Sequence, residues 1–224
     1  MEQHGPHLPP EVDAFIAGRL AEDMEKRMPE IIIAPPVWAG VSAHHMDFPG
    51  SITLRPRAFV DLLYDICASL HQHGFRRFAF LNGHGGNRAS LEVLATELYA
   101  ELNISANVIV YWDLASDEAG RPLMSSTKGY GHASAMETSV MLYSAPELVS
   151  QKDIPRGMLE PVGEQNKKIL GGRSVKRYVN IKDYSEVGVD GQPDGASREA
   201  GEKFYLAVLD GLENTIKVLQ ALPV

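Results

Sequence analysis

The opening residues Met1-Glu2-Gln3-His4-Gly5-Pro6-His7-Leu8-Pro9-Pro10-Glu11-Val12-Asp13 carry three side chains able to hold a cation: Glu2, His4 and Asp13. Two carboxylates and an imidazole, with no thiolate nearby, suit Zn²⁺, Mn²⁺ or Fe²⁺ rather than a soft ion. Burying such a cluster is costly without a cation, because carboxylates and a neutral imidazole lose hydration that nothing else replaces.

More chemistry sits behind two apolar runs. His84 follows Phe78-Ala79-Phe80-Leu81 in the loop Asn82-Gly83-His84-Gly85-Gly86-Asn87. Its glycines let backbone approach a ligand closely, which makes Gly85 and Gly86 candidate substrate contacts. The same loop also reads as a plain strand-to-helix turn with His84 as a cap. A phosphate cradle is a third reading, weakened because no Lys-Ser/Thr follows and no Gly-x-Gly-x-x-Gly spacing is present. Trp112 and Asp113 end the next run, and His132 and Glu137 lie five residues apart at the start of a later helix. His44 and His45 belong to a loop, as site residues or as surface residues. His71 and His73 end a helix, where a cation complements the dipole, and read as structural.

The elements that must position these groups follow from periodicity. Helices are expected over Asp13–Met28, Pro56–His73, Arg88–Leu102, His132–Tyr143 and Ser197–Leu222, the first, second and last with an apolar stripe at helical spacing. Short apolar runs at Glu30–Ala34, Arg76–Leu81 and Val108–Trp112 read as strands, the first as one buried on both faces. Alternating strands and helices predict one α/β domain over residues 1–224, three-layered, with a mostly parallel sheet between helices. Functional groups then gather beyond the carboxyl ends of the strands. Residues 117–130 read as loop. The stretch 157–195 reads as a long irregular excursion suited to a lid, a pocket wall or a subunit contact.

Composition narrows the function classes. The formal net charge is −8, and no basic run is longer than Arg76-Arg77 or Lys167-Lys168, which argues against a nucleic-acid surface. No apolar stretch is long enough to span a bilayer. Cys67 is the sole cysteine, so no intrachain disulfide forms; its apolar setting predicts a small core residue rather than a nucleophile. With no charged-then-apolar leader, the expected compartment is the cytoplasm.

Taken together and in order, several motifs resemble the creatinine amidohydrolase (creatininase) family. They are Glu2-Gln3-His4-Gly5-Pro6-His7-Leu8-Pro9 with Asp13, Phe48-Pro49-Gly50-Ser51, Asn82 to Asn87, His132 with Glu137-Thr138-Ser139, and Gly188-Val189-Asp190-Gly191-Gln192-Pro193 with Ala196 and Gly201. The resemblance implies two divalent metal ions per subunit, Zn²⁺ or Mn²⁺ with Fe²⁺ as a further choice. Glu2 and His84 would hold one, His4 and Glu137 the other, and Asp13 would bridge them. It implies hydrolysis of a C–N bond in a cyclic amide or formamide-type small molecule by activated water, with His132 shuttling the proton. Trp112 and His45 would line the substrate pocket, and the assembly would be a homohexamer.

Three departures qualify the match. Creatininases proper carry glutamate where this chain has Gly86, so that metal shell is expected to be one ligand short and weaker. The Gly-Gly form resembles a subgroup that includes a formamide hydrolase and enzymes of peptide-cofactor maturation. Lys128 stands at the nearest match to a tryptophan that encloses creatinine, which argues against creatinine itself. Met1 stands where the family places an apolar strand, as in a chain whose start falls inside the usual reading frame, so Glu2 is expected on a frayed end. A metal-poor scaffold or binding protein is therefore the rival reading, and a nucleotide-binding α/β protein a third.

Overall fold

Helix α1 (Val12–Arg27) buries Val12, Ile16, Leu20 and Met24, a four-residue spacing that keeps one face on the core. A computed structural model describes residues 1–115, 131–157 and 178–223. The remaining elements are α2 (Pro56–Gln72), β1 (Phe78–Asn82), α3 (Arg88–Leu102), β2 (Ala106–Val110), α4 (Ala135–Ser144) and α5 (Arg198–Ala221), joined by short 3-10 turns. Pro56 sits in the first turn of α2, where its missing N–H costs nothing. Ser197 caps α5 by accepting the Ala200 N–H at 3.1 Å.

β1 and β2 pair in parallel, from Phe78 opposite Ala106 to Asn82 opposite Val110, with α3 as the crossover. Side chains alternate between the faces of this sheet. Phe78, Phe80, Ala106 and Val108 pack on one side with Phe59, Leu63, Cys67, Leu94 and Leu98 of α2 and α3. Leu81 and Ile109 pack on the other with residues of α1, α4 and α5. The period of two thus divides the core into two apolar layers around the sheet, the expected three-layer α/β/α arrangement. Cys67 is buried in the first layer, as its apolar setting predicts.

Several boundaries differ from expectation. The run 30–34 is not a strand: it starts in a turn and a bend and continues without a ladder, and Ile32 is 73% exposed. An apolar run with Pro35-Pro36 behind it favours extended backbone, but a strand also needs a partner edge, and no described strand supplies one. The second strand lies two residues earlier than Val108–Trp112, because Tyr111–Leu114 forms a 3-10 turn that swings Tyr111 and Trp112 into the core. The expected helix at His132 starts only at Ala135. Ala133 is in the left-handed region at φ 53°, and Gly131 is at φ 155°, which no helical turn accommodates.

Residues 116–130, with Lys128, and 158–177 of the expected excursion lie outside the described residues. Among the described residues no helix is long and apolar enough to cross a membrane.

Candidate metal centre

The amino terminus is anchored, not frayed. The Met1 ammonium donates to the Trp38 carbonyl at 2.9 Å, and the Met1 carbonyl accepts from Ile52 at 3.1 Å. The Glu2 N–H donates to Pro10 at 2.9 Å and the Gln3 N–H to Ser51 Oγ at 3.1 Å. The string thereby closes into a loop that returns through Pro9-Pro10 to α1, with Asp13 in its first turn next to Glu2 and His4. The spacing seen in the sequence is the length of this loop.

His84 is delivered from the carboxyl end of β1. Gly83 is needed there, because a Cβ would meet the carbonyl oxygen of Asp13. The Asn82 side chain fixes the loop by donating to the His84 carbonyl at 2.8 Å and accepting the His84 N–H at 3.2 Å. Glu137 comes from the first turn of α4, and its Oε2 accepts the Ala133 N–H at 2.6 Å. Holding Ala133 left-handed costs on the order of 1 kcal/mol, a local strain kept where two site residues flank it.

These side chains converge on Asp13. Its Oδ1 lies 3.2 Å from His4 Nε2, which is itself 3.9 Å from Glu137 Oε2. Its Oδ2 lies 3.2 Å from His84 Nδ1, which is 3.0 Å from Glu2 Oε1. All five groups are buried. Glu2 is 1% exposed, yet neither of its carboxylate oxygens accepts a hydrogen bond, although His84 and His45 nitrogens stand 3.0 and 3.2 Å from Oε1. A buried carboxylate ringed by imidazole nitrogens and left without a well-formed hydrogen bond is what a cation would satisfy. Ligand atoms of Glu2, His4 and Asp13 lie mutually within 4.8 Å, as do those of His4, His132 and Glu137. The donor set fits borderline or hard divalent metal ions.

Electrostatics point the same way. Burial disfavours a charged His4, but Asp13, Glu137 and Glu2 outweigh it and raise His4 to about 9. His84 likewise overcomes burial and is held well above the usual imidazole range by Glu2 and Asp13. Burial, with help from Asp13, pushes Glu137 up to about 7, against the opposing pull of His4. Burial and Asp13 push Glu2 upward, yet His84 and His132 bring it down to about 2. The pocket thus draws positive charge to both sides of Asp13.

His132 and His45 differ from these groups. Burial and the nearby His4 depress His132 to about 3, so its ring is neutral. Its Nε2 lies 2.6 Å from the Gln3 carbonyl, which can only accept, so Nε2 carries the hydrogen. Nδ1 then presents a lone pair on the Glu2 side, 3.5 Å from Oε1. Burial and His132 depress His45 to about 2. Gln3 donates to His45 Nδ1 at 3.0 Å, which leaves the His45 hydrogen on Nε2, facing Glu2.

Gln3 is the hub that sequence reasoning missed. Its amide also donates to the Gly188 carbonyl at 3.0 Å, and its oxygen accepts the Gly5 N–H at 2.9 Å. The tail motif matters through the same contact and through the Asp190 N–H, which donates to the His132 carbonyl at 2.8 Å. The described ring contacts of Trp112 are Tyr111, edge-on at 5.0 Å, and the Arg88 guanidinium at 5.4 Å. Gly86 lies against His84 and His44, while a Cβ on Gly85 would meet open space.

Comparison with known proteins gives the family. The creatininase family profile, described as creatinine amidohydrolase, matches residues 1–216. The mycofactocin precursor peptide peptidase of Mycolicibacterium smegmatis is 29% identical over 221 residues, covering 96% of this chain and 81% of that protein. The 3-dehydro-scyllo-inosose hydrolase of Thermotoga maritima is 30% identical over 237 residues, covering 96% and 74%. A crystal structure of creatinine amidohydrolase superposes with a TM-score of 0.84 at 22% identity, covering 100% of this chain and 88% of its own. Solved creatininases of similar fold include a manganese form and a zinc–zinc form of a mutant. The chain belongs to the creatininase family of hydrolases.

Proposed function

We propose that this protein is a dinuclear metal-dependent amidohydrolase that cleaves a C–N bond in a cyclic amide or formamide-type small molecule. The carrying observation is the division of Asp13: one oxygen faces His4 and Glu137, the other His84 and Glu2. In this reading Glu2 and His84 hold one ion, His4 and Glu137 the other, and Asp13 bridges. When bound, such a pair lowers the pKa of water toward neutrality and polarises a carbonyl.

The chain's own residues supply the rest. Water adds to the amide carbon and gives up a proton to Nδ1 of His132, the lone-pair nitrogen. As the C–N bond breaks, that proton passes to the leaving nitrogen. Gln3 holds the His132 tautomer through its carbonyl and, through its amide, turns the His45 Nε2 hydrogen toward Glu2. Gly85, Gly86 and Trp112 stand as substrate contacts in this reading. The manganese and zinc–zinc forms of solved creatininases support Zn²⁺ or Mn²⁺ as the ions.

A screen of lactams, cyclic imides, formamides and short peptides with Zn²⁺, Mn²⁺ or Fe²⁺ tests the reading. Chelator-sensitive release of an amine or a ring-opened acid is expected; metal-independent turnover contradicts it. A cytoplasmic homohexamer remains part of the proposal, and light scattering tests the assembly.

A further inference from the structure

His44 is the one imidazole near Asp13 to which the mechanism gives no task. It sits in the turn Ala43–His45, half-buried, and makes no hydrogen bond with any described residue. Its ring lies nearly parallel to that of His84, 17° between planes and 5.7 Å between centroids. A ligand atom of His44 lies within 4.8 Å of ligand atoms of both Glu2 and His84. Donors around one ion at bond lengths of about 2.0–2.2 Å stand up to roughly 4.4 Å apart, so only small side-chain adjustments are needed.

Gly86 explains how that ring gets there. A Cβ at this position would meet the Val41 carbonyl and His84 Nε2, and would come 3.0 Å from His44 Cε1. The missing side chain is therefore what admits His44 to the His84 side. The other described donors on that side are Glu2, His84 and a shared Asp13 oxygen, with His45 Nε2 and His132 Nδ1 at 3.2 and 3.5 Å from Glu2 Oε1.

We propose that His44 is a further protein ligand for the ion held by Glu2 and His84, seated in the space that Gly86 leaves free. The inference rests on the metal-binding reading above. It makes the two sites unequal: a site with one more imidazole on the His84 side, and one without it on the His4 side.

Cobalt titration of chelator-stripped protein, followed by calorimetry and by visible absorption, separates the possibilities. Wild type is expected to take up two equivalents. His44→Ala is expected to weaken one of them about 10- to 100-fold, change the ligand-field spectrum of that step and leave the other step unmoved. His44→Glu, which returns a ligand atom to the same place, is expected to restore the affinity within a few-fold; failure of that rescue in a folded variant counts against a ligand role. Unchanged affinity and spectrum in folded His44→Ala overturns the assignment of His44 while leaving the metal centre intact. No cobalt uptake by wild type overturns both.

Discussion

His4 and His84, eighty residues apart in the chain, approach opposite oxygens of one carboxylate, each at 3.2 Å from Asp13. Each imidazole brings its own acid, Glu137 for His4 and Glu2 for His84. The arrangement is two half-sites sharing one anion.

That sharing makes the ligands unequal in consequence. Asp13→Ala should remove both ions, whereas Glu137→Ala should cost mainly the one beside His4. Metal content by mass spectrometry after gel filtration checks it. Equal losses in the two variants contradict the division of ligands.

His132 is expected to act on protons, not on metal retention. His132→Ala should keep both equivalents of metal and lose about 10²- to 10⁴-fold in kcat. The lost activity should be accompanied by flattening of the acidic limb of the pH–rate profile. A variant that loses metal along with activity places His132 among the ligands instead.

Gln3 is expected to matter through the residues it positions. Gln3→Met removes donors to His45 and Gly188 while keeping most of the volume. Stability should fall by about 1–3 kcal/mol, because buried partners lose their bonds. Activity should fall about 10-fold or more at unchanged metal stoichiometry. Wild-type kcat in this variant rules out the hub role.

How much was legible in advance follows from the range of the contacts. Glu2, His4 and Asp13 could be grouped because one short loop joins them. His84 could be placed because β1 ends where an apolar run meets glycines. Helices α1, α2 and α5 were visible as apolar stripes. Gln3 was hidden because its partners His45, His132 and Gly188 lie 42, 129 and 185 residues away. The run 30–34 misled because apolar composition reports burial and extension, not whether a neighbouring edge exists to complete a ladder. Ala133, a residue type that rarely adopts positive φ, gave no warning that the helix after His132 would begin late.

Alkaline stability should reveal the buried thiol. Burial raises Cys67 to about 11 from an ordinary value near 9. A raised folded-state value means this contribution is whole below pH 9 and is lost as pH climbs through 11, on the order of 2 kcal/mol in all. Urea melts between pH 8 and 11 should show the decline, and Cys67→Ala should show less of it. Rapid reaction of native protein with a thiol reagent at pH 8 contradicts the burial.

The central claim is best tested by anomalous diffraction from crystals grown with Zn²⁺ or Mn²⁺. The account predicts two peaks, one on each side of the Asp13 carboxylate, one bounded by Glu2 and His84 and the other by His4 and Glu137. A map with no peak at Asp13, or a single ion on one side only at saturating metal, contradicts it.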